Sequence, residues 1–462
     1  MVMAATTRPQ AGSVGRTSGR LGGKGRSMGH LGSLSPSHRT LLRRLQAGPV
    51  GLPEPRDEGA RAGWHEILEI LFTEHDAALA GRMPLVPWSL DALARRFGLP
   101  AAELKADFDR MASNGLVLDL VDPETGEATY QLAPSVVGFL EISVLSHAGA
   151  TERRLAAAID AYMHGDDTFA RELSEAETVV GRALVHETTI DEDDLPEVLD
   201  WERATSLIDN ARSIALLRCS CRQKAQYLED PCDVPIERCI AIGAGADFVI
   251  RHGMGRGIEP AQAKDVLAAS RADNLVQIAD NVQQHPTFIC NCCPCHCALL
   301  GDATKFGFAA VAPSAFVADP PLVGCRGCSR CSRSCPVGAI TMASGSTGDE
   351  RKSALVPVVD PDLCIGCGTC SDVCHRHAMH MSMKTARPQV PINAVERVVR
   401  MSLERGRLAD LLFDASKNRS SRYLNGVVHA VCRLSPVDRL LATEQVRSRF
   451  VRYAMKNFEP PV

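Results

Sequence analysis

The sequence predicts a multidomain α+β protein, because segments of different pattern follow one another along its 462 residues. Helical and hairpin patterns fill the first part, and strand-like runs alternate with helices in the middle. Seventeen of the eighteen cysteines lie between Cys219 and Cys374, and the last eight of these form two repeated motifs. We therefore expect a helix-and-hairpin domain, a small cysteine-rich α/β domain, a cysteine-repeat module and a helical tail.

Residues 1–60 contain no acidic residue before Glu54 and are rich in Gly, Ser and Arg. Such a segment buries too little apolar surface to offset its ordering entropy, so we expect it to be disordered. The composition also fits an organelle transit peptide or a nucleic-acid-binding arm, and both stay open as alternatives. No apolar h-region is present, so a secretory signal is not expected.

Residues 61–138 have the order of a winged helix-turn-helix domain. Three helices are predicted, near Trp64–Glu74, over Leu90–Phe97 after an N-capping Ser89, and over Ala101–Asn114 before Gly115. Two strand-like runs, Leu116–Val121 and Ala128–Leu132, then flank a turn and form the wing.

DNA binding by this domain is not expected. The third helix would enter the major groove, yet it carries Glu103, Asp107 and Asp109 against Lys105 and Arg110. Because phosphate neutralisation dominates affinity for DNA, a net-acidic helix is a poor reader. We expect a protein-docking or structural role instead.

Two further segments are predicted to be helical. Residues 139–212 are a polar helical connector, and residues 384–462 are a basic helical tail that caps the cysteine-repeat module. The tail helices include Ile392–Arg405 and Val437–Tyr453. No apolar run approaches the roughly 18–20 residues that span a bilayer, so no membrane span is expected.

Residues 301–383 contain the strongest signal. Cys325-x2-Cys328-x2-Cys331-x3-Cys335-Pro336 is followed 39 residues on by Cys364-x2-Cys367-x2-Cys370-x3-Cys374. This is the bacterial spacing for two [4Fe–4S] clusters, in which the fourth cysteine of each run ligates the other cluster. It predicts one cluster on Cys325, Cys328, Cys331 and Cys374, and another on Cys364, Cys367, Cys370 and Cys335. Structural zinc is the alternative, but zinc sites use separated cysteine pairs.

Residues 316–383 resemble the bacterial dicluster ferredoxin family, and an internal repeat supports the resemblance. Asp319-Pro320 and Asp360-Pro361 precede the two motifs, and Ala339 and Ala378 follow them at matching offsets. His375 stands where the family usually has proline, which puts the geometry around Cys374 in question.

The middle of the chain, residues 213–300, carries a second group of cysteines. Short apolar runs lead into or begin at several of them, at Ser213–Arg218, Cys239–Ile242 and Thr287–Ile289, and Pro260–Asp280 is predicted to be helical. Since sites gather at strand ends in such sheets, these cysteines are expected to meet and to hold further clusters or a metal ion. The candidates are Cys219, Cys221, Cys239, Cys290, Cys292, Cys293, Cys295 and Cys297, with Cys232 nearby. Buried free thiols and disulfides are the alternatives, and His296 is not expected to be a ligand.

The pattern CxCR…C…CNCCxCxC, between a winged helix and a dicluster ferredoxin, resembles a family of ferredoxin-domain proteins of anaerobic bacteria and archaea. We expect a cytoplasmic electron-transfer protein or oxidoreductase subunit, with two [4Fe–4S] clusters and a protein redox partner. The acidic middle of the chain suits a basic partner. A redox-sensing transcription regulator and a small-molecule reductase acting at Cys219–Cys297 are the alternatives.

Overall fold

The computed structural model describes residues 34–146, 150–174, 176–190, 198–307, 310–320, 324–345 and 354–412. Helices and β-sheets are mixed throughout these ranges, as the predicted α+β class requires. Within them, no helix combines the length and the apolar character that crossing a bilayer demands.

Three helices open the described chain: α1 (Pro36–Gln46), α2 (Glu58–Leu71) and α3 (Glu74–Ala80). The expectation of disorder over residues 1–60 is wrong from residue 34 onward, while residues 1–33 lie outside the described ranges. Leu41 and Leu45 of α1 are buried in the main hydrophobic core. Apolar residues at helical spacing therefore outweigh the Gly/Ser/Arg composition around them.

A three-stranded antiparallel sheet with two helices follows. Its elements are β1 (Trp88–Ser89), α4 (Leu90–Phe97), α5 (Ala101–Ser113), β2 (Val117–Val121) and β3 (Ala128–Leu132), with strand order β1-β3-β2. The Ser89 side chain accepts a hydrogen bond from the Ala92 N–H and so caps α4, as expected. Gly115 takes a positive φ of 72° and ends α5.

The segment predicted to be a helical connector, residues 139–212, is not purely helical. Its elements are α6 (Leu140–Ser146), α7 (Ala150–His164), α8 (Thr168–Ser174), β4 (Gly181–Ala183) and α9 (Ala204–Asp209). Strand β4 is buried along its whole length and joins the largest sheet of the protein. The connector is thus part of the central sheet.

The central sheet has seven strands in the order β10-β4-β8-β9-β6-β5-β7. The elements after α9 are β5 (Ile214–Arg218), α10 (Ser220–Tyr227), β6 (Glu237–Ile242), α11 (Ala244–Arg251), β7 (Gly255–Gly257), α12 (Pro260–Ala272), β8 (Val276–Asp280), β9 (Phe288–Cys292), α13 (Ala298–Lys305) and β10 (Val311–Ala312). The predicted helix Pro260–Asp280 is wrong beyond Ala272, because the apolar residues of β8 are buried on both sheet faces.

The direction of three strands decides where the cysteines lie. Strand β6 pairs antiparallel with both β5 and β9, so β5 and β9 run in the same direction on either side of it. The carboxyl ends of β5 and β9 therefore meet the amino end of β6 at one edge of the sheet.

The cysteine-repeat module consists of two interlocked halves. Its elements are β11 (Phe316–Asp319), α14 (Arg330–Ser334), β12 (Ile340–Gly345), β13 (Ala354–Val359), α15 (Thr369–Asp372) and β14 (His380–Met383). The first strand pairs with the last, β11 with β14, and β12 pairs with β13. Each half thus contributes a strand, a cysteine loop, a short helix and a second strand.

The described part of the tail forms α16 (Ala394–Glu404) and α17 (Leu408–Leu412), while Val437–Tyr453 lies outside the described residues. Ion pairs join this part of the tail to residues outside the module. Arg407 forms an ion pair with Glu172 of α8, and Arg397 forms one with Asp280 of β8. These ion pairs therefore link the tail to α8 and to the central sheet.

We expect Arg397→Met to destabilise the protein by about 3 kcal/mol, because it leaves the Asp280 carboxylate buried without its counter-ion. The Asp280 side chain is only 1% exposed. The measurement is the urea midpoint of anaerobically prepared protein. Arg400→Met on the same helix removes an i,i+4 pair with Glu396 that is partly open to solvent, and should cost under about 1 kcal/mol. Equal losses in the two variants would contradict the role given to Arg397.

Candidate functional site

Four cysteines of the module line one small cavity of about 20 Å³: Cys335, Cys364, Cys367 and Cys370. Three belong to the second motif and Cys335 belongs to the first. Burial raises the pKa of the Cys367 thiol to about 11, and it also raises the pKa of Cys370. This group, called the inner set below, is enclosed by apolar side chains such as Ile340 and Met381.

The other cysteines of the module lie nearer the surface. Burial, and then the charges of Cys325 and Cys328, raise the pKa of the neighbouring Cys331 thiol. Cys328 is exposed. Cys374 follows α15, which packs against the α14 helix that carries Cys331. These four cysteines are called the outer set.

Backbone amides approach the sulfurs at equivalent places in the two halves. The Ala339 N–H donates to Cys335 Sγ at 3.2 Å, and the Ala378 N–H donates to Cys374 Sγ at 3.3 Å. Such hydrogen bonds stabilise negative charge on a ligating sulfur. The distances match although His375 replaces proline, so the substitution leaves the local geometry around Cys374 intact.

Glycine is required where the inner-set loop meets the rest of the module. Gly366 has a φ of +69°, and a Cβ placed on it would lie 2.2 Å from the Phe316 carbonyl oxygen. Gly368 has a φ of +87°, and its Cβ would lie 2.7 Å from Thr189 Oγ1. The loop therefore lies against the backbone at Phe316 on one side and against Thr189 on the other. A side chain at either glycine would prevent this close approach.

His186 joins the inner set to the central sheet. Its backbone N–H donates to the Cys367 carbonyl at 3.0 Å. Its buried ring places Nδ1 2.5 Å from the Asp372 carboxylate and Nε2 3.1 Å from the Leu275 carbonyl. Both ring nitrogens therefore face oxygen atoms, which fixes the orientation of the ring beside the inner set. No sequence motif marked this residue.

Six cysteines of the central sheet form a closed ring of thiol–thiol contacts, called the thiol ring below. Each contacts the next in the order Cys219, Cys221, Cys297, Cys292, Cys290, Cys239 and back to Cys219. The ring forms at the sheet edge where β5, β6 and β9 meet. Six of the eight cysteines predicted to form the upstream site are thus brought together.

Hydrogen bonding and burial shift the pKa values of the ring thiols. Hydrogen bonding to a neighbouring thiol, followed by burial, raises the pKa of Cys221 to about 12 and that of Cys297 to about 12. Hydrogen bonds from Cys239 and Cys292 lower the pKa of Cys290. Metal binding to these thiols would release their protons.

Arg222 gives an independent test of whether the ring fits an anionic iron–sulfur group. It is 1% exposed, and its Nη1 donates to the Asn291 carbonyl at 3.4 Å. Its Nε and Nη2 atoms are buried and have no hydrogen-bond partner among the described residues. Burial alone would lower the pKa of Arg222, but the charges of Cys219 and Cys239 raise it. A negatively charged cluster on these thiolates would satisfy the guanidinium.

An apolar cavity of about 230 Å³ adjoins the thiol ring. Its walls come from the three-stranded sheet, α6 and the central sheet, and include Leu118, Leu120, Ile142, Leu145, Phe248 and Phe288. Glu141 also faces it, accepts a hydrogen bond from the Gly138 N–H, and has its pKa raised to about 7 by burial. No sequence pattern pointed to this acid.

Two of the predicted upstream ligands lie outside the thiol ring. Cys293 lines the apolar cavity and contacts Cys295, and Cys295 Sγ lies 3.6 Å from Cys232 Sγ. Cys232 belongs to the upstream group of cysteines in the sequence but was not among the predicted ligands. No disulfide joins any of the seventeen cysteines that the structure describes.

A groove of about 540 Å³ lies between the central sheet and the outer set. Its basic lining residues are Arg271, Arg330, Arg333 and His375, and Asp372 is also present. Arg330 and Arg333 lie on the helix that carries Cys331 and are exposed. The surface next to the outer set is therefore positive, although the middle of the sequence is acidic overall.

Comparison with known proteins assigns the module. Residues 324–378 match the family described as 4Fe-4S dicluster domain, and this match includes both cysteine motifs. No curated protein and no solved structure matched the chain. The module is therefore a ferredoxin-type domain that binds 4Fe–4S, and it supports an iron–sulfur electron-transfer role for the chain.

We expect Gly366→Ala to lower both the iron content and the thermal midpoint of the protein, because its Cβ would clash with the Phe316 carbonyl. Gly338→Ala is the matched control, since Gly338 has the same φ of +69° but open space around its Cβ position. The control should cost about 1–2 kcal/mol, from the backbone conformation alone. Similar iron loss in both variants would contradict the close approach at Gly366.

Proposed function

We propose that this chain is an electron-transfer protein or oxidoreductase subunit with two [4Fe–4S] clusters in its module and a further iron–sulfur cluster on the thiol ring. The grouping of the cysteines into an outer set, an inner set and a ring carries this proposal. Clusters of this kind supply one-electron redox chemistry, and the chain supplies their ligands, hydrogen bonds and burial.

The ligand sets follow from the motifs and from the cavity. One cluster is assigned to Cys325, Cys328, Cys331 and Cys374, and the other to Cys364, Cys367, Cys370 and Cys335. The position of Cys335 in the same cavity as three cysteines of the second motif supports the exchange of the fourth ligand between halves. On the thiol ring, six sulfurs exceed the four that one [4Fe–4S] cluster takes, so part of the ring serves another purpose.

A short chain of contacts supports electron exchange between the inner set and the thiol ring. His186 contacts Cys367 through its backbone and Leu275 through its ring. The next residue, Val276, pairs with Cys292 of the ring in the β8–β9 ladder. Cys367, Cys292 and Cys297 also belong to one hydrophobic core. All the residues along this route, from Cys367 to Cys292, are buried.

The redox partner is proposed to dock at the basic groove and therefore to be acidic. Arg330 and Arg333 are exposed beside the outer set, where Cys328 is also exposed. Complementary charge raises the encounter rate of redox proteins. The overall composition of the middle of the chain favours a basic partner. The positive charges next to the outer set favour an acidic one, and we follow these local charges because they lie where the partner would dock.

Residues 61–138 are proposed to be a winged-helix-like domain that encloses the apolar cavity. The Asp119 carboxylate of its wing faces Arg251 and His252, at the carboxyl end of α11, at 2.9 and 3.0 Å. Leu118 and Leu120 beside it line the cavity. This attachment of β2 to α11 supports an enclosing role for the domain.

The apolar cavity favours a second candidate function, reduction of a small apolar molecule next to the thiol ring. The cavity has room beside the sulfurs, and Glu141 offers a carboxyl group that burial keeps partly protonated near neutral pH. In that case electrons that enter at the module would be transferred to a substrate bound in the cavity.

We expect anaerobically purified protein to contain about eight iron atoms from the module, and more with the ring loaded. Cys367→Ala should remove the EPR signal of one reduced cluster and keep that of the other, because it removes a ligand of the inner set alone. Leu363→Ala, a half-exposed position next to Cys364, should keep both signals. Unchanged spectra in Cys367→Ala would refute the ligand assignment.

We also expect charge reversal in the groove to change reduction rates according to the charge of the reductant. The double variant Arg330→Glu, Arg333→Glu should slow reduction by anionic dithionite and speed reduction by cationic methyl viologen radical, each roughly threefold or more at low salt. Stopped-flow absorbance measures both rates. Arg256→Glu, an exposed position on β7, is the control and should change neither. Equal effects on the two reductants would contradict electron transfer through this surface.

A further inference from the structure

We propose that Cys232, Cys295 and His296 bind one zinc ion at the surface, separate from the thiol ring, with the fourth coordination position open to solvent. Their ligand atoms all lie within 4.8 Å of one another. Cys232 belongs to the loop between α10 and β6, and the other two belong to the loop after β9. The site would thus join two loops that flank the ring.

The distances fit tetrahedral zinc and do not fit a disulfide. Cys232 Sγ and Cys295 Sγ are 3.6 Å apart. Two sulfurs at 2.3 Å from a tetrahedral zinc ion lie about 3.8 Å from each other, whereas a disulfide requires about 2.05 Å. Thiolate and imidazole are the donor types that zinc takes in proteins.

Exposure separates this site from the thiol ring. Cys295 is exposed, and Cys232 and His296 are half-buried, while three of the ring cysteines are buried outright. Cys293 lies between the two sites and contacts Cys295, but it is not within ligand distance of the whole group. The three converging side chains therefore leave one position that faces water.

The donor set indicates what the ion can do. Two cysteines and one histidine with an open fourth position form a set that zinc enzymes use to bind water or substrate. A zinc ion here would act as a Lewis acid for a small ligand with an oxygen or nitrogen donor, next to the redox centre proposed on the ring. It does not itself exchange electrons, since zinc has no redox chemistry.

The test is elemental analysis of anaerobically purified protein, with zinc and iron measured on the same sample. We expect about one zinc per chain, lost in Cys232→Ser and in His296→Ala while the iron content stays at the wild-type value. Retained iron shows that these variants fold. Cys293→Ser is the matched control and should keep its zinc.

Zinc K-edge X-ray absorption of the wild-type protein should give two sulfur ligands and two lighter ones. Absence of zinc from the wild type, iron in its place, or zinc retained in both Cys232→Ser and His296→Ala would overturn the proposal. Zinc loss in Cys293→Ser would overturn the three-ligand assignment. Because iron and zinc are counted separately, failure here is distinguishable from failure of the electron-transfer proposal, which would appear as missing iron.

Discussion

Thiol groups packed together inside a protein resist ionisation, and this constraint governs the arrangement of the whole chain. Each thiolate raises the cost of the next, and burial adds to that cost. The raised pKa values of Cys221, Cys297 and Cys367 express this directly. Bound metal removes the difficulty because it replaces protons with cationic charge. Arg222 supplies positive charge where the thiol ring is enclosed, and so stabilises its anionic state.

The central sheet brings the sulfur groups close to one another. Strands β5, β6 and β9 assemble the thiol ring from three distant stretches of sequence, and β8 connects that ring to the module. Strands β4 and β10 belong to the same sheet. The sequence predicted that β4 lies in a helical connector and β10 in the cysteine-repeat module. Composition changes along the chain therefore do not coincide with the borders of the sheet. Pairing between distant strands decides those borders, and no local pattern encodes it.

Local features were predictable from the sequence where their causes are local. Ser89 caps its helix, Gly115 ends the next one, and the cysteine spacing identifies the module, because each depends on neighbours a few residues away. The helix assigned up to Asp280 failed at β8, since Val276 and Ile278 are buried by strands far off in sequence. His186 and Glu141 escaped notice for the same reason, and Cys232 was noted but not assigned as a ligand. Their partners Asp372, the apolar cavity and Cys295 become neighbours only in the folded chain.

The pairing of β11 with β14 has a consequence for how the module matures. The outermost strand of the first half is completed by the last strand of the second half, and Cys335 sits among cysteines that are synthesised later. Neither half contains a full set of partners, so assembly of the module requires both. A chain that ended between Gly345 and Ala354 would lack three of the four cysteines of the inner set.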